Sequence, residues 1–395
     1  MALLLVMNSL AWSGAIDRSG QPFTIILGEG NVFEMHSLSS DIHYSGKVTA
    51  NLGAGPLATQ NVNTGNVASK TATNPMIAMR YQINERLVCA LQYETPFMAD
   101  ASYRDDSLSY QANPTDVSSQ IPAPLDTYYR SKSLTSACGL RFGNTLLVAG
   151  PRLQEVSGGF SSDLSSFNLG DLDNAQVELN GGTEWGYMLG ASYAIPGIHL
   201  KLSMFYHSAI DYDLTGVATT PTLDFSSKIH SSVTTNTRTP EAVVINFQTG
   251  IAPGWLLGLD VRWSHYKQVD DMQVVGAPVD IELELFGFNT LDMMLTLFHK
   301  LDSKLAVFTA YRHLNSKWGE SGVPQGADGK SIRFPRGLNQ TLMLGAKYQV
   351  IEDLNLIAAV GYTNIPRHVV NDGYYQAVFD GNEAVNTLLG MQLSF

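Results

Sequence analysis

Residues 240–266 read PEAVVINFQTGIAPGWLLGLDVRWSHY. Val243, Ile245, Phe247 and Thr249 alternate with Val244, Asn246 and Gln248. Ala252-Pro253-Gly254 turns the chain. Trp255, Leu257, Leu259, Val261 and Trp263 then alternate with Gly258, Asp260, Arg262 and Ser264. Side chains on a strand point to opposite faces with period two. The stretch is therefore a β-hairpin with one apolar and one polar face. A soluble sandwich shows the same alternation, so the decision rests on rhythm, strand length and the chain's end.

Working outward, further strands are expected at 32–46, 75–83, 87–103, 126–142, 145–156, 177–195, 198–214, 279–301, 305–314, 341–350, 354–362 and 384–395. With the hairpin this makes an all-β chain of about fourteen strands. Short turns at 84–86, 143–144, 196–197, 252–254, 302–303 and 352–353 alternate with long polar stretches such as 49–73, 217–238 and 371–381. Transmembrane β-barrels have this rhythm, with tight periplasmic turns and long outer loops, and sandwiches do not. The clear alternating runs last roughly nine to eleven residues, enough for a tilted strand to cross the hydrocarbon layer. The chain stops in mid-strand: Val385, Thr387, Leu389, Met391, Leu393 and Phe395 share one face. Such an ending suits a strand that closes a barrel and is read, through Phe395, by the barrel-assembly machinery.

Composition agrees. Among 395 residues the net charge is -12, which argues against nucleic acid as a partner because that requires a basic surface. After the N-terminus there is no run of eighteen apolar residues, so no membrane-spanning helix is expected. The start, MALLLVMNSLAWSGA, reads as a secretory signal over 1–13, with cleavage after Ser13 or after Ala15. No Lys or Arg precedes Arg18, and the competing readings are a signal whose beginning lies further upstream or a first strand. Residues 14–30 then form a short segment ahead of a barrel spanning 31–395. Cys89 and Cys138 fall in consecutive strands; export permits a disulfide, and two free thiols are the alternative.

Catalytic signatures are missing: there is no G-x-S-x-G, H-E-x-x-H or phosphate-binding loop. His36 and His43 have no Cys or carboxylate at metal spacing, so neither an enzyme, a metal nor a cofactor is expected. Asp280, Glu282 and Glu284 form an acidic stripe on an expected strand. Arg262 either pairs with Glu282 in the lumen or joins Lys201, Arg312 or Lys347 in meeting a ligand carboxylate. Pro96 lies within the third strand, where a proline cannot donate to the ladder. With Phe97 it marks either the strand's outer end or a lateral gate. Phe160, Leu164 and Phe167 follow helical spacing in a loop after the fifth strand. They would pack on the barrel mouth, form a groove for an apolar ligand, or both.

The central hairpin, LNGGTEWGYMLGASYAIPG (179–197), IDRSGQPFTIILGEGN (16–31) and the ending LLGMQLSF resemble the outer-membrane long-chain fatty acid and aromatic-hydrocarbon transporters of the FadL/TodX type. The resemblance spans 16–395 apart from the loops. It implies a Gram-negative outer-membrane barrel in contact with lipid and lipopolysaccharide. It further implies an N-terminal hatch in the lumen, an apolar groove between outer loops, a deeper pocket, and a kinked third strand that opens sideways. Pro96, Phe97 and the Phe160/Leu164/Phe167 stretch fall near the corresponding places. The chain departs from the family in its shorter hatch and in lacking Asn-Pro-Ala; Asn74-Pro75-Met76 lies on the second strand instead. The expected function is passive transport of hydrophobic compounds, long-chain fatty acids first. An aromatic-hydrocarbon channel, a general porin and a structural barrel are the alternatives.

Overall fold

The computed structural model describes residues 19–50, 62–64, 66–67, 72–103, 123–163, 174–222, 226–266, 272–276, 281–283, 289–318, 327, 339–371 and 375–395. Fourteen antiparallel strands form the wall. In order they are Val32–His43, Ala72–Gln82, Leu87–Glu94 continued by Met98–Ser102, Ala123–Phe142, Thr145–Asp163, Asn174–Ile195, Leu200–His207 continued by Ile210–Pro221, Lys228–Thr239 continued by Ala242–Ala252, Trp255–Ser264, Asn289–Lys300, Leu305–Trp318, Asn339–Ile351, Leu354–Ile365 and Asn382–Ser394. The first strand pairs with both the second and the fourteenth: Ser37 lies opposite Pro75 on one side and Leu389 on the other. The sheet is thereby closed into a cylinder without free edges.

The polarity of that cylinder is inverted relative to a water-soluble protein. On the sixth strand Trp185, Tyr187, Leu189, Tyr193 and Ile195 point outward, Trp185 being 67% exposed. On the second strand Ile77, Met79 and Tyr81 are exposed while Arg80 between them is fully buried. In water the exposed apolar surface would cost ~25 cal/mol per Å²; against lipid it costs nothing. Trp185 to Ile195, at ~3.3 Å per residue and a tilt of ~40°, spans about 25 Å, the height of a barrel's apolar band.

Several stretches differ from expectation. Residues 217–238, expected as a loop, are mostly strand, paired from Ile210 opposite Thr239 to Pro221 opposite Lys228. Their outward residues include Ser232, Thr234 and Asn236, which are polar because this part stands beyond the apolar band, so no apolar alternation marks it. Stretches 49–73 and 371–381 contribute to a four-stranded sheet outside the barrel, built from Gly46–Ala50, Val62–Asn63, His368–Asn371 and Tyr375–Phe379. There the rings of Tyr44 and Phe379 meet at 4.6 Å. Residues 279–301 are not one strand. Ile281–Leu283 pairs with Met272–Val274 in a separate hairpin, and the wall resumes at Asn289.

Residues 19–28, ahead of the first strand, lie buried inside the cylinder. Thr24–Leu27 is a short 3-10 helix. Phe23, Ile25, Ile26 and Leu27 are buried against Ala78, Ala90, Val148, Phe205 and Val244, which come from opposite parts of the wall. Lys201 Nζ donates to the Leu27 carbonyl (2.9 Å), and Arg80 donates to the carbonyls of Ile26 and Gly30. The amide of Phe395 donates to the Asn31 carbonyl (3.1 Å), tying the chain's last residue to this segment. Cys89 and Cys138 stand directly opposite each other on the third and fourth strands and form a disulfide.

Candidate functional site: a break in the wall over an apolar cluster

The ladder between the second and third strands runs from Gln82 opposite Val88 to Met76 opposite Glu94, and stops there. Thr95, Pro96 and Phe97 separate the two halves of the third strand. The upper half forms its ladder with the fourth strand, from Met98 opposite Arg130 to Ser102 opposite Asp126, and on its other side the Ser102 amide donates to the Val67 carbonyl (2.8 Å). Proline has no N–H to offer the second strand. Phe97 turns instead to the fourth: its amide donates to Ser131 Oγ (2.8 Å), and its carbonyl accepts from the Ser131 amide (2.8 Å). Across the resulting gap Thr95 Oγ1 donates to Asn74 Oδ1. Asn74-Pro75 therefore borders the break, a role that its place on the second strand did not suggest.

Behind the break is an apolar cluster. Phe97, fully buried, packs in one group with Tyr129, Val156, Phe160, Tyr212 and Leu214; Tyr266 and Val274 close it from the outer side. Alternation carries most of these residues inward on the fourth to eighth strands, and the hairpin containing Val274 is bridged to the eighth strand at Thr234.

A polar layer adjoins this cluster. Glu94, Ser133, Gln154 and Glu184 lie in register across the third to sixth strands. Next to them Arg152 is fully buried; its Nη2 donates to the Ser208 carbonyl (2.8 Å), while Nε and Nη1 have no protein partner. Glu94 Oε2, both ring nitrogens of His207 and both amide atoms of Gln154 are likewise unpartnered. Arg152 and Arg262 are both near enough to act electrostatically on the Glu94 carboxylate. Buried polar atoms of native proteins are nearly always satisfied, so their concentration here marks a place suited to the polar end of a ligand or to water. The sequence signal for Arg152 was slight: one cation on the inward face Leu146, Val148, Gly150, Arg152, Gln154.

The sequence-selected residues divide among three places. Phe97 and Phe160 meet in the apolar cluster. Phe160 is not on a loop helix but in the fifth strand, which continues past Val156 to Asp163; Leu164 and Phe167 lie outside the described residues. Arg262 faces the lumen and donates to Ser264 Oγ (3.1 Å) and Gln21 Oε1 (3.0 Å). It does not stand opposite Glu282: its wall partner is Asp292, because Glu282 belongs to the separate hairpin, opposite Gln273. Asp280 and Glu284 lie outside the described residues. Lys201 serves the N-terminal segment. Arg312 forms a two-bond ion pair with Asp292 (2.7 and 2.5 Å), and Lys347 donates to Gln392 (2.6 Å).

Two cavities border these regions. One of about 670 Å³ reaches Phe160 and Val177 from the outer ends of the third to sixth strands, with Asp100, Arg130 and Glu178 at its rim. The other, about 800 Å³, opens among the short turns beside Leu256, Phe298 and Lys347. It is the larger but lies away from the break.

Comparison with known proteins bears on this arrangement. No curated sequence matches the chain. Among solved structures, a Pseudomonas aeruginosa FadL homologue is 16% identical and superposes with a TM-score of 0.73, covering 99% of this chain and 96% of its own. The P. putida toluene transporter TodX is 14% identical, with a TM-score of 0.63 and coverage of 94% and 92%. The CymD monoaromatic hydrocarbon channel is 12% identical, with a TM-score of 0.59 and coverage of 99% and 97%. At such identities the likeness shows the fold. The family model for outer membrane protein transport proteins (OMPP1/FadL/TodX) matches residues 33–395. With nearly the whole barrel matched, this chain belongs to the OMPP1/FadL/TodX family of outer-membrane transporters of hydrophobic compounds.

Proposed function

We propose that the chain takes up long-chain fatty acids from outside the cell and passes them sideways into the outer membrane through the break at Thr95–Phe97. The observation that carries this reading is the broken third strand directly over the buried Phe97–Phe160 cluster. An acyl chain gains ~0.8 kcal/mol per methylene on leaving water. A side exit into lipid keeps that gain, whereas an axial exit to the periplasm surrenders it. Phe160, at the floor of the outer cavity, captures the chain, and Arg152 with Arg262 receives the carboxylate. Residues 14–30 act as the hatch that blocks the axial route.

Replacing Pro96 by Val restores a donor and a strand-forming residue. Two regained ladder bonds at about 1 kcal/mol each slow opening by about thirtyfold. Initial uptake of radiolabelled oleate should fall accordingly in cells whose barrel still assembles, as judged by heat-modifiable mobility in gels. Unchanged uptake removes the break from the route.

A second reading, a channel for neutral monoaromatic compounds, is favoured by the aromatic make-up of the cluster, where Phe97, Phe160, Tyr129 and Tyr212 meet, and by the monoaromatic cargo of the TodX and CymD relatives. Toluene flux compared with oleate flux separates the two.

A further inference from the structure

The wall is interrupted at a second place, between the sixth and seventh strands. These strands pair from Leu200 opposite Ile195 to His207 opposite Met188, and again from Gly216 opposite Leu179 to Thr219 opposite Gln176. Between those two ladders, residues 180–187 and 208–215 are unpaired across the seam, apart from the Ser208 amide on the Tyr187 carbonyl and the Tyr187 amide on Ser208 Oγ (both 3.0 Å).

The cause is a mismatch of phase. Along the sixth strand the inward position shifts by one residue at the bulge near Asn180, where the register against the fifth strand slips between Val156 and Gly158. Along the seventh strand it shifts at Ser208–Ala209, where both it and the eighth strand (at Pro240–Glu241) are interrupted. The two shifts occur at different heights. Between them Trp185 faces outward and Ile210, directly across, is buried facing inward. A one-residue offset exchanges the faces of a strand and prevents a common ladder. Glycines accommodate the misfit: a Cβ at Gly182 would lie 2.7 Å from Leu214 Cδ2, and one at Gly186 would lie 2.7 Å from Ile210 Cδ1.

Ile210, Tyr212 and Leu214 line the inside of this seam, and they belong to the same apolar cluster as Phe97. The register row Glu94, Ser133, Gln154, Glu184 runs from the Pro96 break to the seam. One apolar compartment thus meets two lines along which the wall lacks its ladder, and ladder bonds are what seal a barrel against lipid. We infer that the seam between the sixth and seventh strands is a second lateral passage for apolar solutes, joining this compartment to the lipid at the upper rim of the apolar band, where the seam ends at Trp185 and Tyr187. This rests on the lateral-transport reading.

The test bridges each line separately in assembled, membrane-inserted protein. Thr183→Cys with Asp213→Cys, both exposed on the outer wall, are joined by a short bifunctional maleimide to close the seam. Asn74→Cys with Thr95→Cys are joined to close the break. Oleate uptake is read before and after bridging, with the parent protein treated identically. The inference expects bridging the seam to lower uptake several-fold, and bridging both lines together to lower it further than either alone. If bridging the break abolishes uptake while bridging the seam leaves it unchanged, the inference fails and lateral transport stands. If neither bridge alters uptake, lateral transport itself fails, and the inference with it.

Discussion

The wall from the second to the eighth strand and the wall from the ninth to the fourteenth are built from the same kind of strand but sealed differently. In the first, the third, seventh and eighth strands are each interrupted, the inner lining is a connected apolar cluster, and buried Arg152, Gln154 and His207 keep polar atoms without protein partners. In the second, the ladders are unbroken and register slips occur only near strand ends, at Asn289/Leu291 and Gln349/Ile351. There the buried charges are engaged: Arg312 with Asp292, and Lys347 through Gln392 to Glu34. Satisfied ionic layers and complete ladders make a wall that holds its shape. Missing ladder bonds over an apolar lining make the one through which the proposed lateral route runs.

The comparison can be broken most severely on the holding side. Arg312→Met leaves Asp292 buried without its closest partner, which should cost about 3 kcal/mol in a urea unfolding titration of the folded barrel. Asp292→Asn added to it should recover much of the loss. If Arg312→Met were as stable as the parent, the ionic layer would not be what makes that wall rigid.

On the passing side, Arg152→Gln removes a charge-assisted contact worth about 2 kcal/mol. Half-saturation for oleate uptake should rise about thirtyfold, with toluene flux unchanged. An equal effect on both solutes would mean that Arg152 positions the wall and does not receive a carboxylate. A smaller change is expected from Phe160→Ser, which removes one aromatic surface from the cluster. Loss of about 1.5 kcal/mol of apolar contact should weaken oleate capture roughly tenfold without altering barrel stability by as much as Arg312→Met does. Equal capture would confine Phe160 to packing.

The cylinder itself was legible because the bilayer writes directly on the sequence: apolar residues must alternate wherever a strand crosses lipid, as at Trp255–Trp263 and Leu354–Tyr362. Where strands rise above the lipid that pressure disappears. Residues 217–238 and 157–163 therefore read as loops although most of them are wall. The acidic stripe around Glu282 misled for a related reason, since a short hairpin outside the barrel carries the same period-two pattern as a crossing strand. Pro96 announced itself, because proline has one physical meaning inside a ladder. The rest of the site did not. Arg152, Glu94 and His207 are single polar residues on inward faces, where any barrel tolerates them, and only register brings them together. Asn74 was visible as part of Asn-Pro-Met, but its contact with Thr95 depends on how two strands part. The phase mismatch between the sixth and seventh strands arises from bulges on separate strands and has no local signature.

The central claim is that apolar solutes leave through the side of this barrel while its axis stays blocked by the N-terminal segment. Single-channel recording in planar lipid bilayers tests it most directly. The account predicts no steady ionic current above the bilayer baseline from protein that transports oleate. Large, steady conductance steps would show an open axial pore and contradict it.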